Sequence, residues 1–269
     1  MNRIETKFAE LKKQGRAALI LYLTAGDPDL KTTEKIIPAL AESGADIIEL
    51  GIPFTDPTAD GPTIQEASLR ALKKYLTLDD VFAMVERVRK RTSVPLLLFS
   101  YYNPVFRYGE EKAAHVGAEA GIDGMLIVDL PPEESGPLRR HCRDCGLSVV
   151  HLATPVSGPD RLKAVAESSS GFIYYVSVTG ITGARKKLPS DMKEHLAEIR
   201  KISNLPVAVG FGISRPEQAA GIARYADGVV IGSALVNLIA KCGKSKQLLP
   251  RLKKFCASFQ EVLGSELYL

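Results

Sequence analysis

Eight short apolar runs alternate with longer segments of helical periodicity along most of this chain. Most of the runs are rich in β-branched residues and are nearly continuous instead of alternating with polar residues. Such runs are typical of parallel strands that are covered by helices. The predicted strands are Ala18–Leu23, Asp46–Leu50, Pro95–Ser100, Gly124–Val128, Leu147–Leu152, Phe172–Ser177, Pro206–Val209 and Gly228–Ile231.

The segments between the runs have the pattern of amphipathic helices. In Thr32–Ser43, for example, the side chains of Ile36, Ile37 and Leu40 fall on one face of a helix, and Gly44 is a suitable stop. Each apolar run is therefore followed by a helix that has one apolar face to bury.

Eight strands alternating with helices predict an α/β fold, a single (β/α)8 TIM barrel formed by residues 1–269 as one domain. The alternative is an open doubly wound sheet, but the first strand–helix turn, Thr24–Pro28, lacks the G-x-G-x-x-G pattern of that fold. Two further helices are predicted outside the alternation, an N-terminal one over Arg3–Lys13 and a C-terminal one over Gln247–Leu263. The first is expected to close the bottom of the barrel.

Composition narrows the possible functions. Of the 269 residues, 45% are hydrophobic and 25% are charged, which is typical of a globular protein and excludes a disordered chain. A net charge of +4 with mixed signs argues against a nucleic-acid partner. No apolar run approaches the roughly 20 residues that span a bilayer, and Met1–Glu5 does not resemble a signal peptide. We therefore expect no membrane partner and a cytoplasmic location.

Metal or redox chemistry is not favoured by the cysteines. Cys142 and Cys145 form a C-x-x-C pair, but it lies near the end of the predicted helix Pro132–Cys145 instead of at a strand–helix turn. A zinc site would need a second close pair, and Cys242 and Cys256 are 14 positions apart. We interpret the four thiols as packing residues and predict no metal site. The histidines are scattered as well: His115, His141, His151 and His195.

The candidate chemistry lies at the strand ends, because barrel enzymes place their active sites at the carboxyl ends of the strands. Glu49 stands near the end of a buried run, so it needs either a structural ion partner or a raised pKa. A raised pKa suits a general acid or base. In the loop that follows, Asp56 or Asp60 either caps a turn or supplies a second catalytic carboxylate.

Three glycine-bearing turns follow the last three strands, at residues 179–184, 210–214 and 232–234. Glycine permits close approach of the backbone to a ligand, and the late loops of barrels often bind phosphate. Tight turns need glycine in any case, but three consecutive ones favour a phosphate site. Aromatic residues at the strand ends suggest an aromatic phosphorylated substrate, although each alone is more often a core residue: Tyr22, Tyr101, Tyr102, Tyr174, Tyr175 and Phe211.

Residues 49–65, ELGIPFTDPTADGPTIQ, resemble the signature of the tryptophan synthase α subunit family. The resemblance extends over nearly the whole chain in the order of the family's motifs. The further motifs are LTAGDP at 23–28, YYNP at 101–104, VDLP at 128–131, GITG at 180–183 and GFGI at 210–213.

The resemblance implies a lyase that cleaves indole-3-glycerol phosphate to indole and glyceraldehyde 3-phosphate, without a metal or an organic cofactor. It implies that Glu49 is the catalytic acid and base, and that Asp60 binds the indole N–H. Tyr22, Ile127, Tyr174 and Phe211 correspond to the wall of the indole pocket, and Thr182 to a loop residue that meets Asp60. The phosphate-binding backbone corresponds to Gly183, Gly212, Gly232 and Ser233.

The resemblance also implies a β subunit as partner, in an α2β2 heterotetramer whose pyridoxal phosphate is on the β subunit. A stand-alone lyase and a non-catalytic activator of a β subunit are the alternatives, and the presence of both Glu49 and Asp60 argues against the second. The loops 53–60 and 179–189 are expected to act as lids.

This chain departs from the family pattern at a few positions. Tyr22 stands where the family often has Phe, so its hydroxyl needs a partner. Thr55 and Thr58 stand where Ser and Leu are expected, on a loop that faces the partner. The segment Ala153–Ser157 also departs from the expected pattern at the end of the fifth strand.

Overall fold

The computed structural model describes residues 2–176, 192–210 and 212–264, and these contain nine strands and twelve helices. The strands are β1 (Ala18–Thr24), β2 (Ile47–Gly51), β3 (Leu96–Ser100), β4 (Gly124–Ile127), β5 (Ser148–Val150), β6 (Leu152–Ala153), β7 (Ile173–Val176), β8 (Val207–Gly210) and β9 (Gly228–Ile231). The helices are α1 (Arg3–Lys13), α2 (Leu30–Ala41), α3 (Pro62–Leu72), α4 (Leu78–Arg89), α5 (Tyr102–Tyr108), α6 (Glu110–Ala120), α7 (Gly136–Asp144), α8 (Pro159–Ser168), α9 (Met192–Ile202), α10 (Pro216–Ala223), α11 (Ser233–Cys242) and α12 (Leu248–Gly264).

All paired strands are parallel and follow the order β5-β4-β3-β2-β1-β9-β8-β7-β6. The two ends of this order, β5 and β6, are consecutive in the chain and separated by one residue, so the sheet is a nearly closed barrel. The predicted (β/α)8 architecture is confirmed.

The predicted fifth strand differs from the prediction, because it is split at His151 into β5 and β6. Residues 148–150 pair with β4, whereas residues 152 and 153 pair with β7. The chain therefore changes its pairing partner at His151, whose carbonyl accepts from the amide of Tyr174 at 3.1 Å. The split is the seam at which the barrel closes.

The side chains of the apolar runs pack into two separate hydrophobic cores, one inside the barrel and one between the sheet and the helices. Along β1, Ala18 and Ile20 face the barrel interior, while Leu19 and Leu21 pack between the sheet and the helices. Both faces of each strand are thus buried, which explains why the runs do not alternate with polar residues.

Helix α1 closes the interior from below, as predicted. Ile4, Phe8 and Leu11 are buried in the same cluster as the inward residues of the strands. The rings of Phe8 and Phe172 have centroids 5.4 Å apart. Asn2 begins the helix, and its side chain accepts from the amide of Glu5 in a reciprocal capping box.

Three aspartates, each directly before a strand, join that strand to its neighbour at the base of the barrel. The amide of Leu19 donates to Asp46 at 2.8 Å, and the amide of Asp46 donates back to the carbonyl of Leu19 at 2.9 Å. Arg16 donates to both oxygens of Asp46 at 2.8 Å. Asp123 accepts in the same way from the amide of Leu96 and from Arg89. Asp227 accepts from the amide of Val207 and from Arg200.

The cysteines are packing residues, as interpreted from the sequence. All four thiols are unpaired, and Cys142 and Cys256 are buried. Burial raises the pKa of the Cys142 thiol to about 12, so it stays protonated and unreactive. The described residues contain no group of three or more His, Cys, Asp and Glu that is suited to a metal ion. No helix in the same part of the chain is long and apolar enough to cross a membrane.

Replacing Asp123 with Ala is predicted to destabilise the barrel strongly. The change leaves Arg89 buried without its carboxylate and leaves the amide of Leu96 without its acceptor. The free energy of unfolding should therefore fall by about 3–5 kcal/mol. Urea unfolding followed by circular dichroism measures the change. Glu133→Ala, which removes an exposed ion pair with Arg161, is the control and should cost less than about 1 kcal/mol. Equal losses in the two variants would contradict the role given to Asp123.

Candidate active site

Glu49 lies on the inner side of β2 near the carboxyl end of that strand, and only 1% of its surface is exposed. Its Oε1 atom has no hydrogen-bond partner in the described residues, and no cation there forms an ion pair with it. Burial raises the pKa of the Glu49 carboxyl to about 8. The side chain therefore holds a proton at neutral pH, and a structural ion pair does not explain its burial.

Asp60 is the second carboxylate at this end of the barrel, in the loop between β2 and α3. Burial raises the pKa of its carboxyl to about 6, and a hydrogen bond from the Tyr101 hydroxyl, at 3.1 Å from Oδ2, acts in the opposite direction. Asp60 is thus largely ionised at neutral pH, while Glu49 is largely protonated.

Asp56 is exposed to solvent and accepts a hydrogen bond from the neighbouring Thr55 at 2.5 Å. Of the two aspartates that the sequence left open, Asp60 is the one that is partly buried and held by a hydrogen bond from Tyr101. Thr58, on the same loop, is also exposed.

Tyr101 is a site residue whose role the sequence did not reveal. Its hydroxyl donates to Asp60 and accepts from the amide of Ala59 at 2.9 Å, so one buried side chain holds the end of the loop in two places. Its place at the end of β3 and in the YYNP motif was visible in the sequence. The bond itself joins positions 41 residues apart, and no local pattern predicts it.

Tyr22 and Glu49 are neighbours in the register of β1 and β2. The Tyr22 ring packs edge-on against Phe99, with centroids 5.3 Å apart, and its hydroxyl lies 3.5 Å from Oγ1 of Thr24. The hydroxyl that the family often lacks therefore has a partner. A Cβ atom at Gly51 would lie 2.1 Å from the hydroxyl oxygen of Tyr22, so glycine is required where the ring crosses β2.

Tyr174 repeats this arrangement on the other side of the barrel. A Cβ atom at Gly210 would lie 2.1 Å from the hydroxyl oxygen of Tyr174. Burial raises the pKa of both Tyr22 and Tyr174, and the charges of Glu49 and Asp60 add to the effect. Both hydroxyls stay neutral, and the same two carboxylates raise the pKa of each, which is consistent with four side chains that lie near one another at this end of the barrel.

Ile127 does not join that site. It packs in the outer core between the sheet and the helices, whereas Leu126 and Val128 belong to the interior cluster. Because side chains alternate along a strand, a shift of one position moves a residue to the other face. The inward residues at the end of β4 are Leu126 and Val128.

Gly212 and Gly232, from two of the three predicted glycine turns, lie among the described residues. Gly212 has φ +77°, and none of the described residues beyond its chain neighbours has an atom within 4 Å of the position of a Cβ there, so the space beside it is open among those residues. Gly232 precedes the ten-residue helix α11, which starts at Ser233, and the first helical bonds are donated by Leu235 and Val236 to the carbonyl of Gly232. The amide of Ser233 comes before these bonds in the chain, at the start of the helix. Backbone amides at the start of a helix are suited to bind anions.

Gly232 lies beside Tyr22, because a Cβ atom on this glycine would be 3.6 Å from that of Tyr22. The helix start and the aromatic pocket are therefore adjacent. Thr182, Gly183 and Phe211, with the loop 179–189, lie outside the described residues.

Comparison with known proteins agrees with this geometry. The family model "Tryptophan synthase alpha chain" matches residues 8–263. The tryptophan synthase alpha chain of Citrifermentans bemidjiense is 50% identical, with 97% of each chain covered, and that of Geobacter sulfurreducens is 49% identical, with 98% of this chain and all of the relative covered. A solved structure of Mycobacterium tuberculosis tryptophan synthase superposes with a TM-score of 0.89 at 37% identity, covering 97% of this chain and 98% of that one.

The solved tryptophan synthase subunit alpha of Legionella pneumophila superposes equally well, with a TM-score of 0.89 at 37% identity and 98% of each chain covered. The barrel fold and the match over nearly the full length of the chain agree. This chain belongs to the tryptophan synthase alpha chain family.

Proposed function

We propose that Glu49 and Asp60 are the two carboxylates with which this chain carries out the reaction of its family. That reaction is the retro-aldol cleavage of indole-3-glycerol phosphate to indole and glyceraldehyde 3-phosphate. The proposal rests on one observation, the buried Glu49 carboxyl without a hydrogen-bond partner for Oε1 in the described residues. A protonated carboxyl at neutral pH is suited to give a proton to carbon, which is the step that makes indole a leaving group.

Glu49 supplies both proton transfers of the cleavage. Its carboxyl donates a proton to C3 of the indole ring, and the bond between C3 and the side chain then breaks. The hydroxyl on the adjacent side-chain carbon becomes the aldehyde of glyceraldehyde 3-phosphate, and its proton returns to the Glu49 carboxylate. The enzyme thus ends the cycle in its starting protonation state.

Asp60 stabilises the positive charge that protonation of C3 places on the indole ring. Its carboxylate accepts from the ring N–H, and the Tyr101 hydroxyl both keeps it ionised and holds it in place. A fixed negative charge is most effective at a site from which water is excluded. Two carboxylates with different proton affinities therefore divide the work.

The remaining proposed contacts bind the two ends of the substrate. Tyr22, Tyr174 and the inward Leu126 form the wall against the indole ring, in place of the predicted Ile127. The open space beside Gly212 and the helix start at Gly232 and Ser233 receive the phosphate. Thr182, Gly183 and Phe211 complete the proposed set.

The partner in this proposal is a β subunit that covers the mouth of the barrel. Phe106 on α5 and Val156 in the loop after β6 are 61% and 79% exposed, and both lie at the end of the barrel that carries Glu49. Exposed large apolar side chains of this kind are suited to a protein interface. The family name, alpha chain, supports an α2β2 assembly.

Three further points belong to the proposal. Glu49 makes both proton transfers of the reaction and Asp60 supplies the stabilising charge, so no cofactor is assigned to this chain, and pyridoxal phosphate is assigned to the β partner alone. Four unpaired cysteines suit a reducing compartment, which supports a cytoplasmic location. Residues 1–269 are proposed to form one barrel domain, since the nine described strands belong to one sheet.

Glu49→Gln is predicted to lose at least about 100-fold in activity, because an amide transfers no proton. Folding raises the pKa of Glu49 from 4.5 to about 8, so the wild-type free energy of unfolding falls as the pH rises through that window. The glutamine has no proton to lose, so the free energy of unfolding of the variant does not fall in this way. Relative to wild type, it should increase by a few kcal/mol between pH 5 and pH 8.

Steady-state cleavage assays and urea unfolding at several pH values measure both effects. Glu86→Gln, an exposed change on α4, is the matched control and should alter neither activity nor the pH dependence of stability. A Glu49→Gln enzyme with more than about a hundredth of wild-type activity would assign the acid–base role to another group.

The pH profile of kcat/KM should be bell-shaped. Activity rises as Asp60 ionises at a pH near 6 and falls as Glu49 loses its proton at a pH near 8. Tyr101→Phe removes the hydrogen bond that lowers the pKa of Asp60, so the acidic limb should move to higher pH while the basic limb stays.

The control for this profile is Tyr108→Phe, which removes a tyrosine hydroxyl bonded to Asp79 away from the site. Its profile should match wild type. An acidic limb that does not move in Tyr101→Phe would show that Asp60 does not set it.

Adding a cognate β subunit should raise the lyase activity of this chain at least tenfold, equivalent to about 1.4 kcal/mol of barrier. Phe106→Ala should weaken this response, measured as the β concentration for half-maximal activation. Ile202→Ala, which shortens an apolar side chain exposed at the end of α9, should not change it. Full activity of the isolated chain with no response to the β subunit would support the stand-alone lyase instead.

A further inference from the structure

A cleft of about 640 Å³ opens at the base of the barrel, at the end opposite to Glu49 and Asp60. It is bounded by the start of α1, by α7, by the start of β5 and by the segment that leaves α8. The volume is in the range of clefts that hold small molecules. None of its lining residues takes part in the proposed reaction.

Three arginines of α7 line this cleft: Arg139, Arg140 and Arg143. Nε of Arg139 is buried and has no hydrogen-bond partner in the described residues, and its Nη1 reaches only the carbonyl of Glu167, at 3.5 Å. Arg139 and Arg143 are one helical turn apart, where like charges repel. The helix dipole favours a cation in the last turn, at Arg143, but not in the middle of the helix, at Arg139.

Little negative charge in the described surroundings offsets these guanidinium groups. Arg143 contacts its neighbour Asp144 at 3.5 Å, but both side chains are exposed and such pairs contribute little. Among the residues that line the cleft, Glu5 is the single carboxylate, against three guanidinium groups. The cleft therefore has a surplus of positive charge.

Ser170, which lines the same cleft, forms a fourth join between strands at the base of the barrel. Its amide donates to the carbonyl of Val149 at 2.7 Å, and the amide of Val149 donates back to its Oγ at 2.8 Å. Asp46, Asp123 and Asp227 make the same reciprocal pair of bonds with a neighbouring strand, and each also carries a negative charge that pairs with an arginine. At this fourth join a hydroxyl stands where the other three have a carboxylate.

The polar groups of the cleft are also suited to donate hydrogen bonds. Ser170 accepts from Val149, and Ser148 accepts from Nδ2 of Asn2 at 2.6 Å, so each hydroxyl retains its hydrogen for another acceptor. Together with the guanidinium groups, they form a set of donors around one opening. The ligand that matches such a set is an oxyanion.

We propose that this cleft binds the phosphate group of a small phosphorylated metabolite, through Arg139 and Arg143 and the hydroxyl of Ser170. The bound phosphate takes the place that an aspartate side chain occupies at the other three joins. Leu147 and Val149, which also line the cleft, provide an apolar wall for the organic part of the ligand. The site is separate from the lyase site and does not depend on the function proposed for it.

Inorganic phosphate is the probe, and the full chain is titrated while its amide resonances are followed by NMR. Phosphate should shift and saturate the amides of residues 146–149 and 168–170. Arg139→Gln combined with Arg143→Gln should raise the Kd at these amides at least about tenfold, because the charge-assisted hydrogen bonds from both guanidinium groups are lost. The amides of Gly232 and Ser233 report the lyase site in the same spectra and should respond as in wild type.

Ser170→Asp gives the sharpest test, because it supplies within the chain the charge that the ligand is proposed to bring. It should abolish the phosphate-induced shifts at residues 146–149 while leaving the basal lyase activity unchanged. Arg251→Gln, an exposed arginine on α12, makes the same change of charge elsewhere and should have no effect.

The proposal fails if phosphate leaves the amides of 146–149 and 168–170 unmoved in wild type, or if it shifts them with the same Kd in the arginine and Ser170→Asp variants. Should the double arginine variant not fold, Arg143→Gln alone is decisive, because that side chain is 78% exposed and its loss does not disturb the core.

Discussion

A parallel sheet that closes around a filled interior is the constraint on which the rest of this structure depends. Inward side chains such as Ile20, Ile47 and Leu97 occupy the barrel, and α1 seals it from below with Phe8. At the upper rim, where the strands end, polar side chains enter this interior. Glu49 is two positions beyond Ile47 on the same face of β2, so the geometry that fills the barrel also buries this carboxyl.

That burial acts differently on the two carboxylates. Oε1 of Glu49 has no hydrogen-bond partner in the described part of the chain, and the carboxyl holds its proton to a pH of about 8. Asp60 is less enclosed and accepts from Tyr101, so it ionises near pH 6. The Tyr101 hydroxyl thus lowers the pKa of Asp60 and leaves Glu49 as the protonated carboxyl of the two. The same hydroxyl also holds the loop at Ala59.

The sequence predicted what depends on local pattern and missed what depends on long-range contact. Continuous apolar runs identified the strands, and the apolar neighbours of Glu49 revealed its burial. The break at His151 was not predictable, because a change of pairing partner leaves the hydrophobicity unaltered. The resemblance pointed to Ile127 for the pocket wall, but in the structure Ile127 packs on the helix side of β4. Both faces of β4 are apolar, so the sequence does not distinguish Leu126 from Ile127.

The base of the barrel shows how one repeated device can serve both stability and binding. Three strand joins use an aspartate that accepts a backbone amide and pairs with an arginine, so the charges cancel within the protein. At the fourth join Ser170 keeps the backbone bonds but lacks the charge, and the arginines of α7 line the same cleft with a single carboxylate, Glu5, among them. The backbone bonds hold the strands in either case. The joins differ in the source of the negative charge. An aspartate of the chain supplies it at three of them, and at Ser170 an external anion is proposed to supply it.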